Sequence, residues 1–437
     1  METEMEAVVL LLFAGILVGC MVLGVDLIVA LFLGLALFLG YGLIKGHRPA
    51  ALAAMCGKGV KTVGNVMAAF VLIGALTAMW RASGCIPAIV SYASGLVSPR
   101  VFLPVAFLLC SLVSFLLGTA FGTSASMGVI LMSMARAMGV PLAAAGGAVL
   151  AGAYFGDRCS PVSTSALLVS TLTKTDLHKN IRAMFRSAVV PLVLALAVWF
   201  ALGAGTGTGD TPAAGEIFRK GFVVSPVCLL PALCILVPAM LRCDVKLTIL
   251  IGALSAVPVA VFVQGVSPAR LLPMCWSGYR TEVAELAAMV NGGGLQSMLR
   301  AGVIVCVASC YSGIFNGTGM LDFLERPVRR FAARFGSFAT VLGVSAVTGM
   351  VACNQTLTIM LTERLTEGVA KDKEELALAL EDTAVVISPL IPWSIAGTVS
   401  LAAAGAPMQS ILFACYLYFI PLWRLVSETV KRKKRTR

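Results

Sequence analysis

The chain has 437 residues, of which 59% are hydrophobic and only 12% charged, with a mean hydropathy of +0.95 and a formal net charge of +12. This composition leaves too little polar surface for a water-soluble globule of such length, so an all-α polytopic membrane protein is expected. The 13 cysteines fall mostly within apolar runs, with no CxxC and no paired Cys/His spacing, which argues against a disulfide framework and a zinc site.

Apolar runs near the spanning length of about 20 residues occur at 7 to 23, 26 to 44, 65 to 80, 101 to 117, 187 to 204, 222 to 241, 247 to 265, 300 to 315 and 410 to 427. The first follows Met1-Glu2-Thr3-Glu4-Met5-Glu6, which lacks a basic n-region, and no small-residue cleavage site comes after it. It is read as a span, not a leader. Asp26 opens the second run and reads as interfacial, and His47 and His178 sit among basic loop residues. Between the long runs lie stretches dense in Gly, Ser, Thr and Pro: Gly118 to Ser124, Gly156 to Ser165, Thr348 to Thr358 and Ser388 to Ser394. Such residues interrupt helices, and carbonyls freed at membrane depth survive only against protein or water. Freed carbonyls and hydroxyls can coordinate Na⁺. Each half is expected to supply one re-entrant hairpin and one discontinuous helix, in an order that the sequence leaves open.

Basic residues cluster at Lys174, Lys179, Arg182 and Arg186, at Arg326, Arg329, Arg330 and Arg334, and at Lys431 to Arg435 with Arg437. On so apolar a chain these are cytoplasmic anchors in preference to a nucleic-acid surface. With the basic tail inside, run 410 to 427 enters from outside, 187 to 204 leaves the cytoplasm, 222 to 241 returns to Arg242 and Lys246, and 300 to 315 comes in to meet the arginine cluster. The N- and C-termini are both expected in the cytoplasm.

The halves correspond at short motifs: Ser83-Gly84 with Thr318-Gly319, Ser160-Pro161 with Ser388-Pro389, and Pro191-Leu192 with Pro421-Leu422, at offsets near 230 residues. Yet the run holding Pro191 begins inside and the run holding Pro421 begins outside. The expectation is therefore two inverted-topology repeats, 1–204 and 219–427, joined by an external loop 205–218 and followed by a basic tail 428–437, with about ten transmembrane helices besides the re-entrant or broken ones.

A carboxylate in hydrocarbon costs roughly 3 kcal/mol at a helix centre even on the lenient insertion scale. Acids beside the breaks are therefore expected to face a cavity or a partner. Asp157 leads, because low dielectric disfavours its charged form and lets proton and cation compete for one site. The bland alternatives are an ion pair with Arg158 and an N-cap for the next helix. Glu381 and Asp382 are successive, so on a helix they point about 100° apart and only one is expected to face the site. Thr123, Ser160, Asn354, Gln355 and Ser388 supply neutral ligands from the broken segments, Asn354 and Gln355 standing equally for helix-to-helix hydrogen bonds. The Gly207-Thr208-Gly209-Asp210 sequence resembles an intramembrane protease motif, but lies in a Gly/Thr-rich loop without apolar flanks and is set aside. With both His in loops and no nucleophile-base pair, the chain does not read as an enzyme.

Several blocks together resemble the NhaC-type Na⁺/H⁺ antiporter family, a branch of the ion-transporter superfamily. They are Ser83 to Pro87, Gly118-Thr119 with Gly122-Thr123, Gly152 to Asp157 with Ser160-Pro161, Gly293 to Met298, and Leu380 to Asp382 with Ser388 to Trp393, within residues 57 to 427. The resemblance implies a secondary active transporter that exchanges Na⁺ for H⁺ across the cytoplasmic membrane, with no cofactor beyond the coupling ions and Na⁺ held by Asp157 and broken-helix carbonyls. The alternative is Na⁺- or H⁺-coupled movement of a small organic solute, an amino acid or carboxylate. Departures from the family pattern bear on this choice. Thr164 and Asn354 stand where the family carries Asp, and Leu167 and Ser394 where it carries Asn. Losing two acids weakens the case for a bare cation, and Arg158 becomes a candidate contact for an organic anion. The partners implied are a small ion or solute and the lipid bilayer, and a homodimer stays open as the assembly.

Overall fold

The computed structural model describes residues 2–93, 97–204, 218–241, 243–283, 286–287, 290–320, 328 and 335–435. The external loop 205–217, the Gly207 to Asp210 motif, Arg242, the Arg326 to Arg334 cluster and Arg437 lie outside them. The described chain is helical, with one isolated antiparallel bridge between Tyr279 and Gly292. In order it runs through α1 (Glu2–Val22), α2 (Leu27–Ile44), α3 (Pro49–Thr62), α4 (Gly64–Ala82), α5 (Cys85–Ala93), α6 (Pro99–Leu117), α7 (Ala120–Thr123), a π-turn (Ser124–Gly128), α8 (Val129–Ala137), α9 (Leu142–Cys159), α10 (Thr164–Thr173) and α11 (Leu177–Ala204). It continues with α12 (Leu230–Met240), α13 (Val245–Phe262), α14 (Pro268–Ser277), α15 (Leu295–Thr318), α16 (Ser337–Ala352), α17 (Gln355–Thr366), α18 (Lys373–Asp382), α19 (Ala384–Ile387), α20 (Ile395–Ala404) and α21 (Cys415–Arg435).

Among the described residues six helices, α2, α4, α6, α11, α13 and α15, are long and apolar enough to cross a bilayer, and the pair Lys373–Leu390 with Ile395–Ala404, bent by 59°, makes a seventh if it is one span. The remaining three apolar runs are cut short by their own residues. Three glutamates start α1, leaving an apolar stretch of Met5–Leu17. Pro226 starts a 3₁₀ turn, Pro226–Leu229, before α12. The last run is divided between a 3₁₀ segment, Met408–Phe413, and α21.

The breaks are built from caps. α6 ends at Gly118 in the left-handed region (φ 67°), and Thr119 then caps α7 by accepting from the Gly122 N–H. α16 ends at Cys353, also left-handed (φ 55°), and Asn354 caps α17 by accepting from the Thr356 N–H. α9 stops at Ser160-Pro161 and Ser163 caps α10, while the α18–α19 segment stops at Ser388-Pro389 and Ser394 caps α20. α4 and α15 both run into a left-handed glycine, Gly84 and Gly319. Within each half the two breaks touch. A Cβ on Gly118 would lie 2.6 Å from Val162, and the Ile395 N–H bonds the Cys353 carbonyl at 2.8 Å while Trp393 Nε1 donates to the Met350 carbonyl.

Small residues set the close helix approaches, as expected where lipid tails supply no hydrophobic drive between helices. On α9, Gly152 and Gly156 lie so close to α6 that a Cβ would come within 2.6 Å of the Phe107 carbonyl and 2.1 Å of Ser114 C, and the Ser114 hydroxyl donates across to the Ala153 carbonyl. Gly59 of α3 and Gly313 of α15 make the equivalent seam. α9, which carries Asp157, is thereby held rigidly against a long span.

Candidate functional site

Asp157 lies three residues before the Ser160-Pro161 break and is 5% exposed. The chain folds back so that Ser163 and Ser165, at the start of α10, face it. Ser165 Oγ is 3.0 Å from Oδ2 and 2.8 Å from the Asp157 carbonyl, and the Ser163 hydroxyl donates to the same carbonyl and lies 3.4 Å from Oδ1. From the second half Gln355 Nε2 donates to Oδ2 at 3.0 Å, and Ala120, the first residue of α7, lines the same cavity as the carboxylate. Asp157 is thus the point at which three of the four breaks meet. The alternative pairing with Arg158 is not formed, because chain neighbours on a helix diverge by about 100° and Arg158 pairs with Asp382.

A cavity of about 420 Å³ opens against this carboxylate, its wall including Asn65, Thr119, Tyr154, Thr164, Asn354 and Ser400. Ala120, Thr164, Gln355 and Ile395, the first residues of α7, α10, α17 and α20, all line it, so four helices begin at its wall. The partial positive charge of these helix starts favours an ionised group at this point. Asp244 and Lys246 sit at its rim beside the cap of α13. Thr164 and Asn354, where the chain departs from the resembled family's acids, both face this cavity. Among the described residues Asp157 and Asp244 are the carboxylates that line it, and Asp157 is the buried one.

The second acid pair separates in the same manner as Asp157 and Arg158. Asp382, fully buried, bonds Arg158 Nη2, accepts from Arg424 Nη1 at 2.9 Å and lies 3.2 Å from Ser187 Oγ. Arg158 also donates to Ser187 Oγ at 2.7 Å and to the Met184 and Glu381 carbonyls at 3.3 Å. This network ties α9 to α11, α18 and α21. Glu381, equally buried, has no hydrogen-bond partner at either carboxylate oxygen.

Other expected ligands are placed elsewhere. Thr123 Oγ1 donates to the Thr119 carbonyl at 2.9 Å, Ser160 Oγ to Phe115 at 2.6 Å and Ser388 Oγ to Ala384 at 2.7 Å, and none of the three lines the cavity. A hydroxyl beside a helix finds a backbone carbonyl within reach and takes it. Arg158 is 0% exposed and fully engaged, so it presents no donor to a solute in the cavity. Ser163 and Ser165 were not singled out by sequence; the signal for them was their position two to four residues beyond the Ser-Pro break. No group of three or more His, Cys, Asp or Glu among the described residues is arranged to hold a metal ion.

The family model described as "Na+/H+ antiporter family" matches residues 3–181 and 152–424. The chain is 30% identical over 371 residues to the Na⁺/H⁺ antiporter NhaC of Alkalihalophilus pseudofirmus, covering 81% of this chain and 79% of that protein. It is 26% identical over 389 residues to the malate-2H⁺/Na⁺-lactate antiporter of Bacillus subtilis, covering 83% of each. It is 29% identical over 357 residues to the arginine/ornithine antiporter ArcD of Halobacterium salinarum, covering 78% of this chain and 73% of that one. With the match spanning nearly the whole chain and a buried carboxylate at the meeting of broken helices, the protein belongs to the Na⁺/H⁺ antiporter family and is a multi-pass secondary active transporter of the NhaC type.

Proposed function

We propose that the chain exchanges Na⁺ for H⁺ at Asp157, which carries a proton in one half of the cycle and a Na⁺ ion in the other. The observation that carries this reading is the carboxylate itself, buried at the wall of a cavity and held by donors from both halves. Every one of its side-chain neighbours can turn to present oxygen instead. The Ser163 and Ser165 hydroxyls donate to the Asp157 carbonyl, which leaves lone-pair capacity on their oxygens beyond the Ala166 N–H that Ser163 caps, and rotation of the Gln355 amide would replace Nε2 by Oε1. Asn354 Oδ1, now capping α17 at 2.9 Å, adds a further oxygen nearby. Glu381 is the second titrating acid. An ionised carboxylate with neither oxygen bonded is costly in a buried site, so this one carries a proton or pairs with a cation.

The paired junctions, Gly118-Thr119 with Cys353-Asn354 and Ser160-Pro161 with Ser388-Pro389, support an inverted repeat of 1–204 and 219–427, and with it a site at mid-membrane between the halves. Both termini are placed in the cytoplasm on the basic tail.

A second reading is favoured by one feature: two positions lining the cavity, Thr164 and Asn354, are neutral. With one fixed charge the site would suit Na⁺- or H⁺-coupled movement of an organic solute, as the names of two relatives indicate for those proteins.

The test is a Na⁺ pulse applied to voltage-clamped proteoliposomes holding a pH dye, with native protein and Asp157→Asn. Native protein is expected to acidify or alkalinise the lumen according to the gradient. The folded variant should lose at least about tenfold in rate, equivalent to roughly 1.4 kcal/mol of barrier. Coupling retained in the variant would sink the assignment. A native protein that is folded and silent would move the choice to the organic-solute reading.

A further inference from the structure

A cavity larger than the one at Asp157 lies elsewhere among the described residues. A space of about 550 Å³ is lined by Arg81 and Thr77 of α4, Ser133 and Arg136 of α8, Ser297 ahead of the α15 midpoint, and Thr398 of α20. It lies at the other end of α4. Asn65 lines the Asp157 cavity and Arg81 this one, sixteen residues on, or about 24 Å at 1.5 Å per residue. α20 stands between the two, with Ala396, Val399 and Ser400 toward Asp157 and Thr398, Leu401 and Ala402 toward the arginines.

Among the described residues three arginines and no Asp or Glu line the second cavity. Arg300 is 62% exposed at its side chain and has a partner in Asp26, at 2.8 Å. Arg81 and Arg136 have no carboxylate partner among the described residues. Arg81 is only 8% exposed, and one of its donors, Nη1, bonds the Thr77 carbonyl at 2.7 Å. Both arginines lie in the last turns of their helices, where the carbonyl ends offset part of the charge. That local compensation leaves most of two guanidinium forks, with five donors each, unspent around one shared cavity. Unpaired buried charge is costly, and guanidinium is the side chain best shaped to hold a carboxylate through two parallel bonds. Hydroxyls from Thr77, Ser133, Ser297 and Thr398 add neutral donors, and Val129, Met132, Met298 and Leu401 supply apolar wall. This mixture suits an organic anion better than a compact inorganic one.

We propose that Arg81 and Arg136 form a binding site for a small dicarboxylate, one carboxylate to each guanidinium, on the face opposite the Asp157 cavity. The site is separate from the Na⁺/H⁺ chemistry assigned to Asp157 and does not depend on it. With the basic tail in the cytoplasm, it opens outward.

The experiment is calorimetric titration of succinate, and of sulfate as comparator, into the full chain in phosphatidylcholine nanodiscs, which contain no anionic headgroup. Native protein is expected to bind succinate and to prefer it over sulfate by at least fivefold. Arg136→Gln, at a half-buried position, and Arg81→Gln should each weaken succinate at least tenfold, and Arg81→Lys should recover part of the loss. If Arg81→Gln does not fold, Arg136→Gln and Arg81→Lys decide. Asp157→Asn is expected to keep succinate binding, so loss of the proton coupling and loss of the anion site are read separately. Absence of succinate binding, equal affinity for sulfate, or affinity unchanged in Arg136→Gln would overturn the proposal.

Discussion

Glu381 and Asp382 are chain neighbours in surroundings that differ as much as two buried sites can. Asp382 satisfies two arginines and a serine; Glu381 meets no donor at all. Removing the charge from Asp382 leaves the buried Arg158 without its carboxylate, and breaking such a pair typically costs about 3–5 kcal/mol. Asp382→Asn is therefore expected to lower the thermal midpoint in detergent sharply, while Glu381→Gln should cost within about 1 kcal/mol because no hydrogen bond to the side chain is lost. The reverse order would show that Glu381 is the structural acid. The divergence of adjacent residues on a helix was legible from sequence, and so was the place of Asp157 beside a helix break. Which acid of the pair would be paired was not, since Arg424 and Ser187 lie 42 and 195 residues away from Asp382 in the chain. The bonds of the Thr123, Ser160 and Ser388 hydroxyls were not legible for a related reason: each takes a backbone carbonyl at hand, which composition alone does not reveal.

Elements are positioned here by what glycine permits. The α6–α9 seam carries Asp157 to its place, and it closes only because Gly156 lacks a Cβ, which would lie 2.1 Å from Ser114 C and 2.2 Å from Phe115 N. Neither is the movable end of a side chain. Gly156→Val is expected to drive α9 from α6 and to cost more than the roughly 1–3 kcal/mol usual for overpacking, with loss of Na⁺-driven pH change in whatever protein remains folded. Gly343→Ala on α16 is the matched comparison, since nothing lies within 4 Å of the added methyl. It should leave the midpoint unchanged or raise it by up to about 1 kcal/mol through helix propensity. Similar melting curves for the two variants would mean that the seam is softer than the glycine geometry requires. Sequence signalled the breaks themselves through Ser-Pro and Gly-Thr, because local chemistry makes them. The apolar runs also marked the six helices long enough to span, whereas the 3₁₀ segments before α12 and α21 arise from backbone geometry that an apolar run does not display.

At the scale of the whole molecule, two cavities lie at opposite ends of α4 with α20 between them, so which one faces the cytoplasm decides the direction of every transport step. The chain carries a native probe for that question. Of its thirteen cysteines Cys243 is the one exposed; the others are buried or intermediate. It sits next to Asp244, at the rim of the Asp157 cavity. If the basic residues set orientation, a membrane-impermeant maleimide should label Cys243 in inside-out vesicles and leave it unlabelled in right-side-out ones, with Cys243→Ser removing the signal. Labelling in right-side-out vesicles would invert the topology, placing the Asp157 cavity outside and the arginine cavity inside. Addition of Na⁺ during labelling extends the same measurement. An antiporter that closes one cavity as it opens the other must change the exposure of this rim, so the labelling rate should shift with Na⁺ in native protein and stay constant in Asp157→Asn, whose site no longer distinguishes the ion from the proton.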